Sequence, residues 1–136
     1  AVLDVAQEIA SVANEGQIVV EMSTLSIADK EAARTILEAG GRHVLDCPVS
    51  GNRIMALGRG LTAFCSGTQE DFERVRETLL TFCKKVHYVG PFGNGTKVKL
   101  CGNILNLVHN TVAAEAMVLA IKSGLDPRML PSRWRW

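Results

Sequence analysis

Four polar residues interrupt an otherwise apolar run toward the carboxyl end of the chain: Lys99, Asn103, Asn106 and Asn110, at offsets of 0, 4, 7 and 11. With 3.6 residues per turn these offsets fall on one side of a helix. A buried ammonium or amide must find a partner, so the stripe faces solvent, another polar surface or a ligand cleft. In a cleft, Lys99 is a candidate general acid/base, and Asn103, one turn on, can orient a hydroxyl. The spacing by itself equally fits a solvated stripe.

Two further polar sets lie where short apolar segments end. Pro48-Val49-Ser50-Gly51-Asn52 offers a hydroxyl and backbone N–H groups suited to a carboxylate, at the kind of edge where open parallel sheets bind ligands. Ser23 and Thr24 put hydroxyls at the corresponding edge after an earlier apolar segment. Taken singly, the first set also fits a strand-to-loop turn and the second fits helix caps.

The elements that must hold these sets follow from hydrophobic period and punctuation. Val2, Val5, Ile9 and Val12 recur on one helical face, which Asn14-Glu15-Gly16 stops. A strand, IVVEM, precedes Ser26 and Asp29, a capping-box start to a second helix that Gly40-Gly41 ends. Residues 43–49 (HVLDCPV) predict another strand, 50–60 a glycine-bearing loop, and LTAFCSG a third strand. Thr68 and Asp71 cap a helix with Phe72, Val75, Leu79 and Phe82 on one face, and residues 86–89 close as strand four. From Thr96 to Ser123 the pattern predicts one long helix, apolar around most of its circumference and so expected to be buried on all sides, ended by Gly124 and Pro127. Strand–helix alternation followed by helix alone is an α/β layer joined to the start of an all-helical piece.

Considered together, Glu21-Met-Ser-Thr24, Asp46-Cys-Pro-Val-Ser-Gly51, Gly93-Asn-Gly95 with Lys99 and Asn103, and Glu115-Ala116 with Gly124-Leu-Asp-Pro127 stand in one order. In that order the chain resembles the β-hydroxyacid dehydrogenase family, the relatives of 3-hydroxyisobutyrate dehydrogenase, tartronate semialdehyde reductase and 6-phosphogluconate dehydrogenase. The resemblance covers nearly the whole chain, to about Leu130. It implies an α/β fold, the C-terminal half of a Rossmann-like sheet of about four strands with flanking helices, followed by a long helix that begins an all-α domain. The implied domains are residues 1–95, part of a dinucleotide-binding domain, and 96–136. The resemblance further implies that Ser23 and Thr24 lie near the nicotinamide of NAD or NADP, and that Ser50, Gly51 and Asn52 hold the substrate carboxylate. It makes Lys99 the catalytic acid/base and Asn103 its hydroxyl-orienting partner, in hydride transfer between a small 3-hydroxy acid and the cofactor. The chain departs from the family pattern at Glu21 for the usual Asp, Ile27 for Pro, Asn52 for a second Gly and Gly102 for the first of an Asn pair.

The family's opening βαβ unit, with its G-x-G-x-x-G turn, is not in this sequence, and neither Gly58-Arg-Gly60 nor Gly93-Asn-Gly95 replaces it. The chain is therefore expected to be a fragment of such an enzyme, inactive alone, with a non-catalytic association module as the alternative. The atypical tail, Pro131 to Trp136, adds to that expectation. The strand from Ile18 to Met22, normally central, would become a bare edge. A homo-oligomer is expected through that edge or through the long helix.

Composition narrows the partners. A chain of 136 residues with 47% hydrophobic residues and a formal charge of +1 is globular, with no basic field to grip nucleic acid or an anionic membrane. The apolar stretch Val112–Ile121 is shorter than the ~20 residues a bilayer needs, and the opening AVLDVAQEIA lacks the marks of a leader, so no membrane segment and a cytoplasmic address are expected. Cys47, Cys65, Cys83 and Cys101 form no CxxC pair and are expected to be buried, reduced thiols, with no metal.

Overall fold

A computed structural model describes residues 1–12 and 15–129. In chain order the elements are α1 (Val2–Val12), β1 (Ile18–Glu21), α2 (Ile27–Ala39), β2 (His43–Asp46), β3 (Val49–Ser50), α3 (Arg53–Leu57), β4 (Leu61–Cys65), α4 (Gln69–Leu80), β5 (Cys83–Tyr88) and α5 (Asn94–Lys122), then a 3-10 turn, Pro127–Met129. Both expected capping boxes form: the Ser26 hydroxyl accepts the Asp29 N–H at 3.1 Å and the Thr68 hydroxyl accepts the Asp71 N–H at 3.2 Å, opening α2 and α4. Gly124, at φ 77°, supplies the left-handed conformation that closes α5, and its N–H reaches the Ile121 carbonyl at 3.0 Å. The expected stop at Asn14 and the tail from Pro131 lie outside the described residues.

Among the described residues there are five short strands rather than about four. Residues 43–49, expected as one strand, divide into β2 and β3 at Cys47-Pro48, because proline has no N–H to continue a ladder. β1 pairs with β2 in parallel and β4 with β5 in parallel, whereas β3 runs antiparallel to β4. An antiparallel bridge, Asp46 to Ser66, joins the two groups of strands. The loop expected over residues 50–60 contains a single helical turn, α3, whose N-cap is Asn52.

Side chains leave β2 alternately toward two cores. Val44 meets Ala6 of α1 and Ala33 and Leu37 of α2, while Leu45 meets Phe72 and Leu79 of α4 together with Ala63, Cys65 and Cys83. Helices thus cover both faces of the strands. Cys47, Cys65 and Cys83 are buried and reduced as expected, but Cys101 is exposed. The adjoining Cys65 side chain and burial push the Cys47 thiol far above its ordinary range, which keeps it protonated and inert. On the outer strand β5, exposed Lys84 and Lys85 guard the edge against pairing with another chain.

The chain divides into two compact units, Ala1–Lys99 and Leu100–Trp136. The expectation that the long helix is buried on all sides does not hold. Ile104, Leu107 and Leu119 are 62%, 67% and 68% exposed, and in α5 full burial is confined to Gly95 and Thr96 at its start and Ala120 near its end. Over an 18-residue window α5 has a mean hydropathy of 1.5, so it is long and apolar enough to cross a membrane. The shorter stretch Val112–Ile121 therefore understated its length.

Away from the strand ends that carry Ser23 and Ser50, Asp71 ties α4 to β2: its carboxylate meets the His43 ring at 2.9 Å, the Thr68 hydroxyl at 2.5 Å and the Arg74 guanidinium at 3.4 Å. Burial pushes this carboxyl up, but the hydrogen bonds from Thr68 and His43 and the charges of His43 and Arg74 outweigh it and hold Asp71 below its ordinary value. A carboxyl depressed in the folded state contributes stability above its unfolded value and loses it as the pH falls through the folded one. Asp71→Asn should therefore lower the urea midpoint at neutral pH, with the gap to the parent closing below about pH 4. A gap that stayed constant to lower pH would contradict this assignment.

Candidate active site

The site is rooted in a buried charge cluster. Lys30 lies on the inner face of α2, one turn before Ala33 and two before Leu37, and is 1% exposed. Its ammonium meets Glu21 at the end of β1 at 2.5 Å and Asp46 at the end of β2 at 2.8 Å. Glu21 turns its other oxygen to the next loop, accepting the Ser23 N–H at 2.9 Å and the Ser23 hydroxyl. Asp46, fully buried, accepts the Thr96 N–H and hydroxyl, both at 2.8 Å, and the Ser66 hydroxyl at 3.0 Å. Ser66 in turn accepts the Gly95 N–H at 2.9 Å.

Asp46 thereby serves as a cap for α5 supplied from another element. The first N–H groups of a helix lack intrahelical acceptors, and a carboxylate placed there also answers the positive end of the helix dipole. Gly95 makes the approach possible: a Cβ at this position would collide with the Phe64 carbonyl oxygen and lie 2.8 Å from that of Asp46.

The cluster gathers the roots of the three motifs. Ser23 and Thr24 are exposed directly after β1, and Ser23 borders an open cavity of about 650 Å³ walled also by Val2, Val5 and Leu25. Ser50 is half-buried at the end of β3, opposite Thr62 in register, and Gly51 follows at φ 144°. Asn52 is exposed, and its side-chain oxygen accepts the Met55 N–H at 2.9 Å, so that atom serves α3. Lys99, half-buried, follows Thr96 by three residues in α5 and makes no hydrogen bond or ion pair among the described residues. Asn103 and Asn106 lie farther along the same helix, in the second unit, where Asn110 donates to Asn106 at 3.4 Å.

Sequence reasoning did not single out Lys30, Ser66 or Thr96, and quoted Asp46 without a role. One signal was present: at Lys30, Ala33 and Leu37 a lysine occupies the apolar helical face, where only a paired ammonium is tolerated. Which acids pair with it is decided by contacts 9 to 16 residues away in sequence, which periodicity does not encode.

Comparison with known proteins agrees with this architecture. Residues 1–90 match the model of the NAD binding domain of 6-phosphogluconate dehydrogenase. The mitochondrial 3-hydroxyisobutyrate dehydrogenase of Mus musculus is 35% identical over 117 residues, 85% of this chain and 35% of that protein. The L-threonate dehydrogenase of Cupriavidus necator is 34% identical over 131 residues, 96% of this chain and 44% of that protein, a span that takes in α5. Among solved structures, 3-hydroxyisobutyrate dehydrogenase of Mycobacterium tuberculosis, solved with L-serine, superposes with a TM-score of 0.87 at 30% identity, covering 92% of this chain and 43% of that one. Five strands, their flanking helices and a long following helix, matched over more than half the chain, place it plainly: the chain belongs to the 6-phosphogluconate dehydrogenase NAD-binding and 3-hydroxyisobutyrate dehydrogenase family, and spans about a third to under a half of the length of these relatives.

Proposed function

We propose that this chain is the nicotinamide- and substrate-facing part of an NAD(P)-dependent 3-hydroxyacid dehydrogenase, and that it works within a longer protein and is inactive alone. The observation that carries the proposal is the Lys30–Glu21–Asp46 cluster, which ties the Ser23 loop and the start of the Lys99-bearing helix to the β2 end that leads into Ser50. The residues present fit the nicotinamide half of the cofactor: two exposed hydroxyls, Ser23 and Thr24, with Ser23 beside a cavity walled by Val2, Leu3, Val5 and Leu25 together with the acids Asp4, Glu21 and Asp29. When bound, NAD(P) supplies the hydride acceptor.

Ser50 and the backbone N–H groups of Gly51 and Asn52 hold the substrate carboxylate. Lys99, as the free amine, takes the hydroxyl proton during oxidation and returns it during reduction. Asn103 orients the hydroxyl toward Lys99. Both named curated relatives, a 3-hydroxyisobutyrate and an L-threonate dehydrogenase, act on small hydroxy acids, which supports this substrate class.

In the complete protein, Lys99→Ala should lower kcat by about 10³-fold. The melting temperature should stay unchanged, because Lys99 bonds to nothing among the described residues. A retained kcat would overturn its role. In calorimetric titration the complete protein should bind NAD+ or NADP+, and this chain by itself should not. Tight dinucleotide binding by the chain alone would overturn the inactivity.

A second function, non-catalytic association, is favoured by the exposed apolar surface of α5 at Ile104, Leu107 and Leu119. We assign that surface to a second copy of the chain rather than to lipid, since the match to a dehydrogenase takes in the same helix. Light scattering should show a dimer or larger species at micromolar concentration, dispersed by Leu107→Glu. A stable monomer at high micromolar concentration would rule the assignment out, and cofactor binding by the complete protein separates the two functions.

A further inference from the structure

We infer that Lys30 is a positioning residue, holding Ser23 through Glu21 and the first turn of the Lys99-bearing helix through Asp46. The inference rests on the function proposed above and adds a group to which no motif assigns a role.

Lysine is almost never fully buried unless paired, because its ammonium loses its hydration. Lys30 is paired twice, and the two partners lead in different directions. The first arm runs from the ammonium to Glu21 at 2.5 Å and from Glu21 to the N–H and hydroxyl of Ser23. It fixes the loop after β1. The second runs to Asp46 at 2.8 Å and from Asp46 to the N–H and hydroxyl of Thr96, the third residue of α5. Lys99 follows Thr96 by one helical turn, so the axial position and rotation of that first turn set where Lys99 stands.

One cation shared by both arms couples them. Without it, two carboxylates at the ends of neighbouring parallel strands face each other with like charge and withdraw from their present hydrogen bonds. The consequence is a displacement of groups that must stand within a fraction of an ångström of their reacting partners, where a 1 Å error can cost about 10²-fold in rate.

The test uses the complete protein with three variants, each scored by active-site concentration. Glu21→Ala cuts only the Ser23 arm and should raise the KM and dissociation constant for the dinucleotide about tenfold, with kcat within about twofold of the parent. Thr96→Val cuts the hydroxyl bond of the α5 arm and should lower kcat about tenfold with the dinucleotide KM unchanged. Lys30→Met should do both. A purely structural ion pair would lower the melting temperature of all three while leaving both constants per active site as in the parent, and that result would overturn the inference. Should Lys30→Met fail to fold, the split between the other two variants decides.

Amide hydrogen exchange gives a readout independent of turnover: the Ser23 and Thr96 N–H groups should both exchange faster in Lys30→Met. Unchanged exchange at both would overturn the inference even in an active enzyme. A parent protein that binds no dinucleotide, or that keeps its kcat in Lys99→Ala, would instead overturn the proposed function, with the exchange data still judging the two arms.

Discussion

An ammonium taken out of water must be met by charge of the opposite sign, and in this protein that demand organises the carboxyl ends of β1 and β2. Lys30 hydrogen-bonds Asp46 and pairs in charge with Glu21, and the two acids also accept hydrogen bonds from neighbouring segments. Removing one partner from such a pair strands a buried charge, at a cost of about 3–5 kcal/mol. The cluster is therefore a poor place for tolerated substitution. It also links the Ser23 loop and the start of the Lys99 helix to the end of β2, from which the chain runs on to Ser50.

Much of the fold was legible because it depends on neighbours in sequence. Ser26 with Asp29 and Thr68 with Asp71 announce helix starts, and Gly124 announces a helix end, since each acts within one turn. Residues 43–49 misled because the run HVLDCPV is continuously strand-like in composition, and only the missing N–H of Pro48 shows why β2 gives way to β3. The positions of Ser23 and Ser50 at strand ends could be read from the same local signals. The tie between the β1 end, the β2 end and the start of α5 could not, because it runs through Lys30 and Asp46, and the partners of Asp46 lie 16, 20 and 50 residues away.

α5 shows a different limit. Its apolar residues are spread around the circumference, so no single face declares what it packs against. The expectation of all-round burial failed because composition alone says nothing of what lies beside the helix. The described residues leave Ile104, Leu107 and Leu119 largely bare, and the polar positions Asn103, Asn106 and Asn110 form a seam through that apolar surface.

The 50-residue separation between Asp46 and Thr96 also bears on how the molecule assembles. Helical hydrogen bonds in α5 are local and form early, whereas closing a loop of that length has an entropic cost that only the finished contact repays. Ser66 joins both ends of this loop, bridged to Asp46 and accepting the Gly95 N–H. The placement of the first turn of α5 is thus set by contacts distant in sequence and not by the helix itself. The helix can form from its own local bonds, but where its first turn comes to rest, and Lys99 with it, is decided by residues that precede it by 29 and 50 positions.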